Sequence, residues 1–117
     1  MNIAVVGSRT FKNYNFLEET LDKLILERKF DNITIISGGA RGTDTLAEYY
    51  AQNRKYPTII HIADWNNLGK QAGYLRNEKI VDDADIIIAF HQNNSKGTKH
   101  TIDLAKNRGI EVIILRV

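Results

Sequence analysis

Ile33-Thr34-Ile35-Ile36-Ser37-Gly38-Gly39-Ala40-Arg41-Gly42-Thr43-Asp44 is an apolar, β-branched run that empties into a glycine-rich segment, with a helical pattern beginning beyond it near Thr45. The order predicts a strand, Ile33 to Ile36, turning sharply into a helix. Glycines at such a turn let backbone N–H groups approach a ligand, the helix that follows aims its unsatisfied donors and positive dipole end at the same place, and Arg41 adds a full charge. The stretch therefore predicts a site for phosphate or another small anion. A tight structural turn carrying a solvated arginine is the simpler alternative for any one such loop taken alone.

Outward from that stretch, strands and helices alternate. Asn2 to Val6 is apolar and β-branched and ends at Gly7-Ser8-Arg9, a first strand with its loop. Between Tyr14 and Arg28, Leu17, Leu21, Leu24 and Ile25 share one helical face. A second helix is expected from Thr45 to Arg54, opened by a capping-box-like Thr45 and Glu48. Pro57 precedes a third strand, Thr58 to Ile62, and Asp64 to Gly69 reads as loop. A helix from Lys70 to Asp83 leads to a fourth strand, Asp85 to Phe90, apolar enough to be covered on both faces. The polar segment His91 to Gly97 precedes a helix from Thr98 to Arg108, which Gly109 ends. Glu111 to Leu115 is the fifth strand.

Strict alternation with short connections implies a Rossmann-like three-layer α/β/α domain over residues 1–117, built on a five-stranded parallel sheet. Ligands of such sheets bind at the carboxyl ends of the strands, near the switch in strand order. Three loops with glycine, hydroxyl and cation fall there: Gly7, Ser8 and Arg9; Ser37 to Asp44; and Ser95, Lys96, Gly97 and Thr98. Their recurrence on one rim is the argument for a shared anionic site.

Composition excludes several classes. With 117 residues, 43% hydrophobic and 26% charged, the chain has the makeup of an ordinary single globular domain. There is no cysteine, which removes disulfides, thiolate metal sites and a thiol nucleophile and fits a reducing, cytoplasmic setting. A net charge of +2 makes no general case for nucleic acid. No apolar run approaches the roughly 20 residues of a membrane span, and Met1 leads straight into a strand-like segment, so neither a membrane partner nor a signal sequence is expected. His61, His91 and His100 form no metal-ligand pattern, and neither a metal nor a resident cofactor is expected. Ser37 lacks the Gly-x-Ser-x-Gly context of a nucleophile elbow.

Several short motifs together carry a family resemblance: Val6-Gly7-Ser8-Arg9, Ser37 to Asp44, Ala63-Asp64-Trp65, Arg76-Asn77, and Ala84-Asp85 followed by Gly97-Thr98. In this order and spacing the chain resembles the SLOG superfamily, which joins the Rossmann domain of DNA-processing protein A (Smf) to the Lonely Guy (LOG) phosphoribohydrolases. Within it, the chain is most similar to the small YspA-like (DUF2493) proteins.

The resemblance implies two branches. In the phosphoribohydrolase branch an arginine lies nine residues before the aspartate that opens the fourth strand, as Arg76 does before Asp85, which makes Arg76 the candidate catalytic residue. That branch pairs it with a glutamate in a Pro-Gly-Gly-x-Gly-Thr-x-x-Glu segment to cleave the N-glycosidic bond of a nucleoside monophosphate. Here the glutamate's place is taken by Thr101, and the oxocarbenium-like charge of such a reaction calls for a carboxylate. In the DNA-processing branch the same loops hold single-stranded DNA, for which Arg9, Arg41, Arg76 and Lys96 would supply charge and Tyr14, Trp65 and Tyr74 stacking surfaces. Asp44 and Asp64 beside those cations favour a pocket for a nucleotide-sized anion over a groove for a polyanion.

The expected ligand is thus a nucleotide or nucleotide-derived small molecule. Gly38, Gly39, Arg41, Gly42 and Thr43 would cradle phosphate, with Gly7, Ser8, Arg9 and Ser37 on one side and Lys96, Gly97 and Thr98 on the other. Arg76 and Asn77 would orient the ribose or a second phosphate, and Asp64 or Asp44 would accept from sugar hydroxyls. Apolar helix faces and the superfamily's habits imply a homo-oligomer.

Overall fold

The computed structural model describes all of residues 1–117. Its elements run β1 (Asn2–Gly7), α1 (Tyr14–Arg28), β2 (Thr34–Ser37), α2 (Thr43–Arg54), β3 (Thr58–Ile60), α3 (Trp65–Leu68), α4 (Gln71–Asp83), β4 (Ile86–His91), α5 (Lys96–Asn107) and β5 (Glu111–Arg116). The strands form one sheet in the order β3-β2-β1-β4-β5, and every pairing is parallel. The chain steps outward from β1 to β3, then returns to the other side of β1 for β4 and β5. The switch point expected for a ligand site therefore lies between β1 and β4, where Ile3 pairs with Ile86 and Gly7 with Phe90.

Alternation along the strands builds two cores. Ile3 and Val5 of β1, with Ile86, Ile88 and Phe90 of β4, face Leu17 and Leu21 of α1 and Ala47, Tyr50 and Ala51 of α2. The intervening Ala4 and Val6, with Ile87 and Ala89, face Ile80 and Val81 of α4 and Ile102 and Ala105 of α5. A period of two on a sheet covered on both faces makes every central-strand residue apolar, which is why β4 carries no polar residue before His91. No helix is long and apolar enough to cross a membrane.

Four sequence expectations need correction. The segment after β3 is not all loop: Asp64 caps a one-turn helix, its Oδ1 accepting from the Asn67 N–H at 3.3 Å and its Oδ2 from Asn67 Nδ2 at 3.0 Å. Strand β3 stops at Ile60 rather than Ile62, because its neighbour β2 ends at Ser37, whose carbonyl is already taken by the His61 N–H. Helix α5 starts at Lys96, two residues early, because Ser95 caps it by accepting from the Thr98 N–H.

Helix α2 likewise starts at Thr43, and the capping box at Thr45 does not exist. The Thr43 N–H and Oγ1 both donate to the Ser8 carbonyl, which anchors the helix start to the β1 loop. Thr45 Oγ1 reaches back to the Ala40 carbonyl, and Glu48 turns inward to accept from Ser37 Oγ at 2.5 Å.

Candidate functional site

The carboxyl ends of β1, β2 and β4 open into a cleft of about 390 Å³ between the first turns of α2 and α5 and the inner face of α4. From the β1 loop come Gly7, Ser8, Arg9 and Thr10; from the β2 loop and α2, Ala40 and Asp44; from α4, Arg76, Asn77 and Ile80; and from the β4 loop and α5, Gln92, Asn93, Ser95, Gly97, Thr98 and Thr101. A second cavity of about 460 Å³ adjoins it through Arg9, Ala40 and Arg76, and adds Gly38, Gly39, Arg41, Ile62, Ala63 and Trp65. Arg9 and Arg76 line both, so two cations stand where the hollows meet.

Close packing joins the loops. Ser8 Oγ donates to the Gln92 carbonyl and accepts the Gln92 N–H, each at 2.8 Å, which ties the β1 loop to the β4 loop. Thr10 Oγ1 donates to Gln92 Oε1 at 2.6 Å. On the other side Gly42, at φ +75° and ψ −125°, lies so close to the Arg9 backbone that a Cβ would overlap it. Only glycine meets both demands, the backbone angle and the space. Asn93 and Asn94 hold consecutive left-handed conformations, φ 54° and 52°, which asparagine tolerates better than most side chains.

At the centre, Arg76 donates through Nη1 to the Gly38 carbonyl at 2.6 Å and through Nε to Asn77 Oδ1 at 3.0 Å. Asp44 is 7% exposed, and its Oδ2 accepts the Ala40 N–H at 3.1 Å. Burial pushes the Asp44 carboxyl up to about 6, against the restraint of the Ala40 N–H and the nearby Arg76 charge. Burial lowers the pKa of Arg76, Asp44 opposes that shift, and Arg9 adds to it. With Asn77 Oδ1 taken by Arg76, Asn77 Nδ2 faces His100 Nδ1 at 3.1 Å, and burial holds the His100 pKa below its ordinary value.

Of the residues singled out in the sequence, Gly7, Ser8, Arg9, Asp44, Arg76, Asn77, Gly97 and Thr98 line the main cleft, and Gly38, Gly39 and Arg41 the adjoining cavity. Ser37, Gly42 and Thr43 lie behind this lining and shape it. Ser37 is fully buried against Glu48, Gly42 packs on Arg9, and Thr43 bonds Ser8. Lys96 is exposed at the first position of α5 and Asp64 is the α3 cap; neither lines these two cavities. Thr101, at the position of the phosphoribohydrolase glutamate, is 2% exposed on the cleft floor and donates to the Gly97 carbonyl at 3.2 Å.

The sequence did not single out Thr10, Gln92 and Asn93, nor the apolar Val6 and Ile80, as lining residues. The polar, asparagine-rich run after β4 was the available signal for Gln92 and Asn93. Ala40 and Ser95 lie within the glycine loops already marked, without having been given a role of their own.

Comparison with known proteins bears on the family and the fold. The family model described as "YspA, cpYpsA-related SLOG family" matches residues 1–67. The gene 61 protein of Mycobacterium phage D29 is 35% identical over 118 residues, covering 95% of this chain and 93% of that protein. DNA processing protein A of Streptococcus pneumoniae superposes with a TM-score of 0.79 at 23% identity, over 99% of this chain but only half of that one. DNA processing protein A of Helicobacter pylori, described for its single-stranded DNA binding mode, superposes with a TM-score of 0.74 at 20% identity over all of this chain and 66% of its own length. At these identities the two structures share the fold, and the sequence matches supply the rest: the chain belongs to the YspA, cpYpsA-related SLOG family.

Proposed function

We propose that residues 1–117 act as one domain that binds a phosphorylated nucleotide or nucleotide-derived ligand in the cleft at the β1/β4 switch point. The observation that carries this reading is the convergence of three loops, two helix N-termini and the cations Arg9 and Arg76 on one hollow of about 390 Å³, a volume suited to a small ligand. Phosphate would lie against the first turns of α2 and α5, and Arg76 would hold it or a second phosphate. Calorimetry with AMP, ADP-ribose and a cyclic dinucleotide tests the reading. At least one should bind, and Arg76→Ala should weaken it tenfold or more, since a charge-assisted hydrogen bond contributes about 1.5–3 kcal/mol. No binding by any of the three overturns the proposal.

A hydrolytic role has one observation in its favour. Asp44 is a carboxylate in the cleft beside Arg76, whereas Thr101 offers none. Release of free adenine from AMP, lost in Arg76→Ala, would establish it; chromatograms without free base after hours of incubation would exclude it. The DNA-binding reading draws on the H. pylori neighbour and on the exposed Trp65 and Tyr74. It requires affinity that grows with oligonucleotide length and falls steeply with salt. Exposed Ile60, Ile62 and Leu68 along the β3 and α3 edge support a homo-oligomer, which light scattering would measure, and the lack of cysteine suits the cytoplasm.

A further inference from the structure

A third cavity, of about 330 Å³, opens beside the main cleft and shares Arg9, Arg76, Asn77 and Gly97 with it. Its own walls are Trp65, Lys70, Gly73 and Tyr74. Trp65 and Tyr74 are 48% and 50% exposed, an uncommon state for two large aromatics lining one hollow. Neither ring is loose. Trp65 packs over Gly73, where an added Cβ would come within 3.0 Å of the Trp65 Cη2, and the Arg9 guanidinium lies 5.8 Å from the Trp65 ring centre. Tyr74 meets His100 edge to face at 4.6 Å. The glycine at 73 thus lets the far edge of the indole approach α4 this closely, where an alanine would press on it.

We infer that this Trp65–Tyr74 hollow is the subsite for the nucleobase, a flat aromatic ring stacked on Trp65 while its phosphate lies in the adjoining cleft. The inference rests on the nucleotide reading above and adds to it which end of the ligand goes where. Stacking is the interaction two half-exposed aromatic rings offer, and it suits any base because every base has a π-face. Arg9 and Arg76, common to both cavities, stand where the sugar and phosphate leave the base, and Arg9 adds a cation to the same aromatic wall.

Trp65 is the only tryptophan, so tryptophan fluorescence reports on this one ring, which borders both this hollow and the second cavity, and the comparison of ligands with and without a base separates the two. AMP should quench the emission, and ribose 5-phosphate, which has the sugar and phosphate without the base, should change it far less. By calorimetry, Trp65→Ala and Tyr74→Ala should each weaken AMP about tenfold and leave ribose 5-phosphate within about twofold, while Trp65→Phe should retain most of the AMP affinity. Both rings are half exposed, so these variants are expected to fold, and unchanged circular dichroism would verify that. If AMP binds but neither alanine variant weakens it selectively, the base subsite is wrong and the phosphate cleft stands. If neither AMP nor ribose 5-phosphate binds, the subsite and the reading beneath it fall together.

Discussion

Arg76 and Asp44 face one another across Gly38: a methyl carbon on that residue would sit 2.7 Å from the Arg76 Nη1 and 2.9 Å from the Asp44 Oδ2. The buried acid and the half-buried base of the cleft are thus kept in place by a missing side chain. Gly38→Ala should push the guanidinium away from the Gly38 carbonyl and destabilise the fold by about 1–3 kcal/mol, the usual range for overpacking. Urea unfolding measures the stability and calorimetry with AMP the ligand consequence. A variant as stable as the wild type, with unchanged affinity, would show that this contact has slack.

Glycines of the rim should differ sharply in what they tolerate. At Gly42 an alanine meets the Arg9 carbonyl and a backbone conformation that only glycine adopts readily, and at Gly7 it meets the Thr43 side chain and, at 2.5 Å, the Phe90 carbonyl. Both substitutions should cost several kcal/mol and abolish ligand binding. Gly97→Ala has nothing within 4 Å and lies in the first turn of α5, so thermal unfolding should show no loss or a gain of up to about 1 kcal/mol.

Asp44 predicts a pH dependence with a definite sign. Its carboxyl is raised from 3.8 to about 6 in the folded protein, so the native state takes up this proton more readily than the unfolded chain. The stability it contributes is complete below about pH 4 and is lost as the pH rises through about 6. Asp44→Asn lacks this titration. The stability of wild type relative to Asp44→Asn should therefore fall by an amount on the order of 3 kcal/mol between about pH 3.5 and pH 7.5. A difference that stays flat across that window would mean the Asp44 carboxyl titrates alike in the folded and the unfolded chain.

Tyr50 predicts a stability effect far from the cleft. It is fully buried in α2 yet donates through its hydroxyl to Asp22 Oδ1 of α1 at 2.5 Å, and Arg54 completes the cluster by bonding Asp22 and Glu18. Tyr50→Phe keeps the packed ring and leaves Asp22 with Arg54, so the cost should be about 1–3 kcal/mol. Tyr50→Ala also opens a cavity under α1 and should cost about 3–5 kcal/mol. AMP affinity should survive the first change, since neither Tyr50 nor Asp22 lines the cleft.

Much of the architecture was legible because a parallel sheet covered on both faces imposes a plain pattern. The runs around Ile35 and Ile87 had to be strands, and the stripes of Leu17, Leu21 and Ala47, Ala51 had to be helices on one face. The three glycine loops were legible for the same reason: strand ends were located, so their loops were located too. Element starts were less legible. The beginnings of α2 and α5 depend on Ser8 and Ser95, whose roles as acceptor and cap are decided by where neighbouring chain segments pass.

By itself the order of residues determined the class of fold and the edge of the sheet on which the glycine loops of Gly38 and Gly97 lie, since periodicity and glycine placement are local properties of the chain; Arg76 drew notice only through the family resemblance. Only the tertiary structure decided that Ser37 and Thr43 support the cleft from behind, that Asp44 is buried beside Arg76, and that Trp65 and Tyr74 share a hollow with both arginines. Those facts depend on which side chains from distant segments exclude water from one another, and burial of that kind exists only once the sheet has brought the loops together.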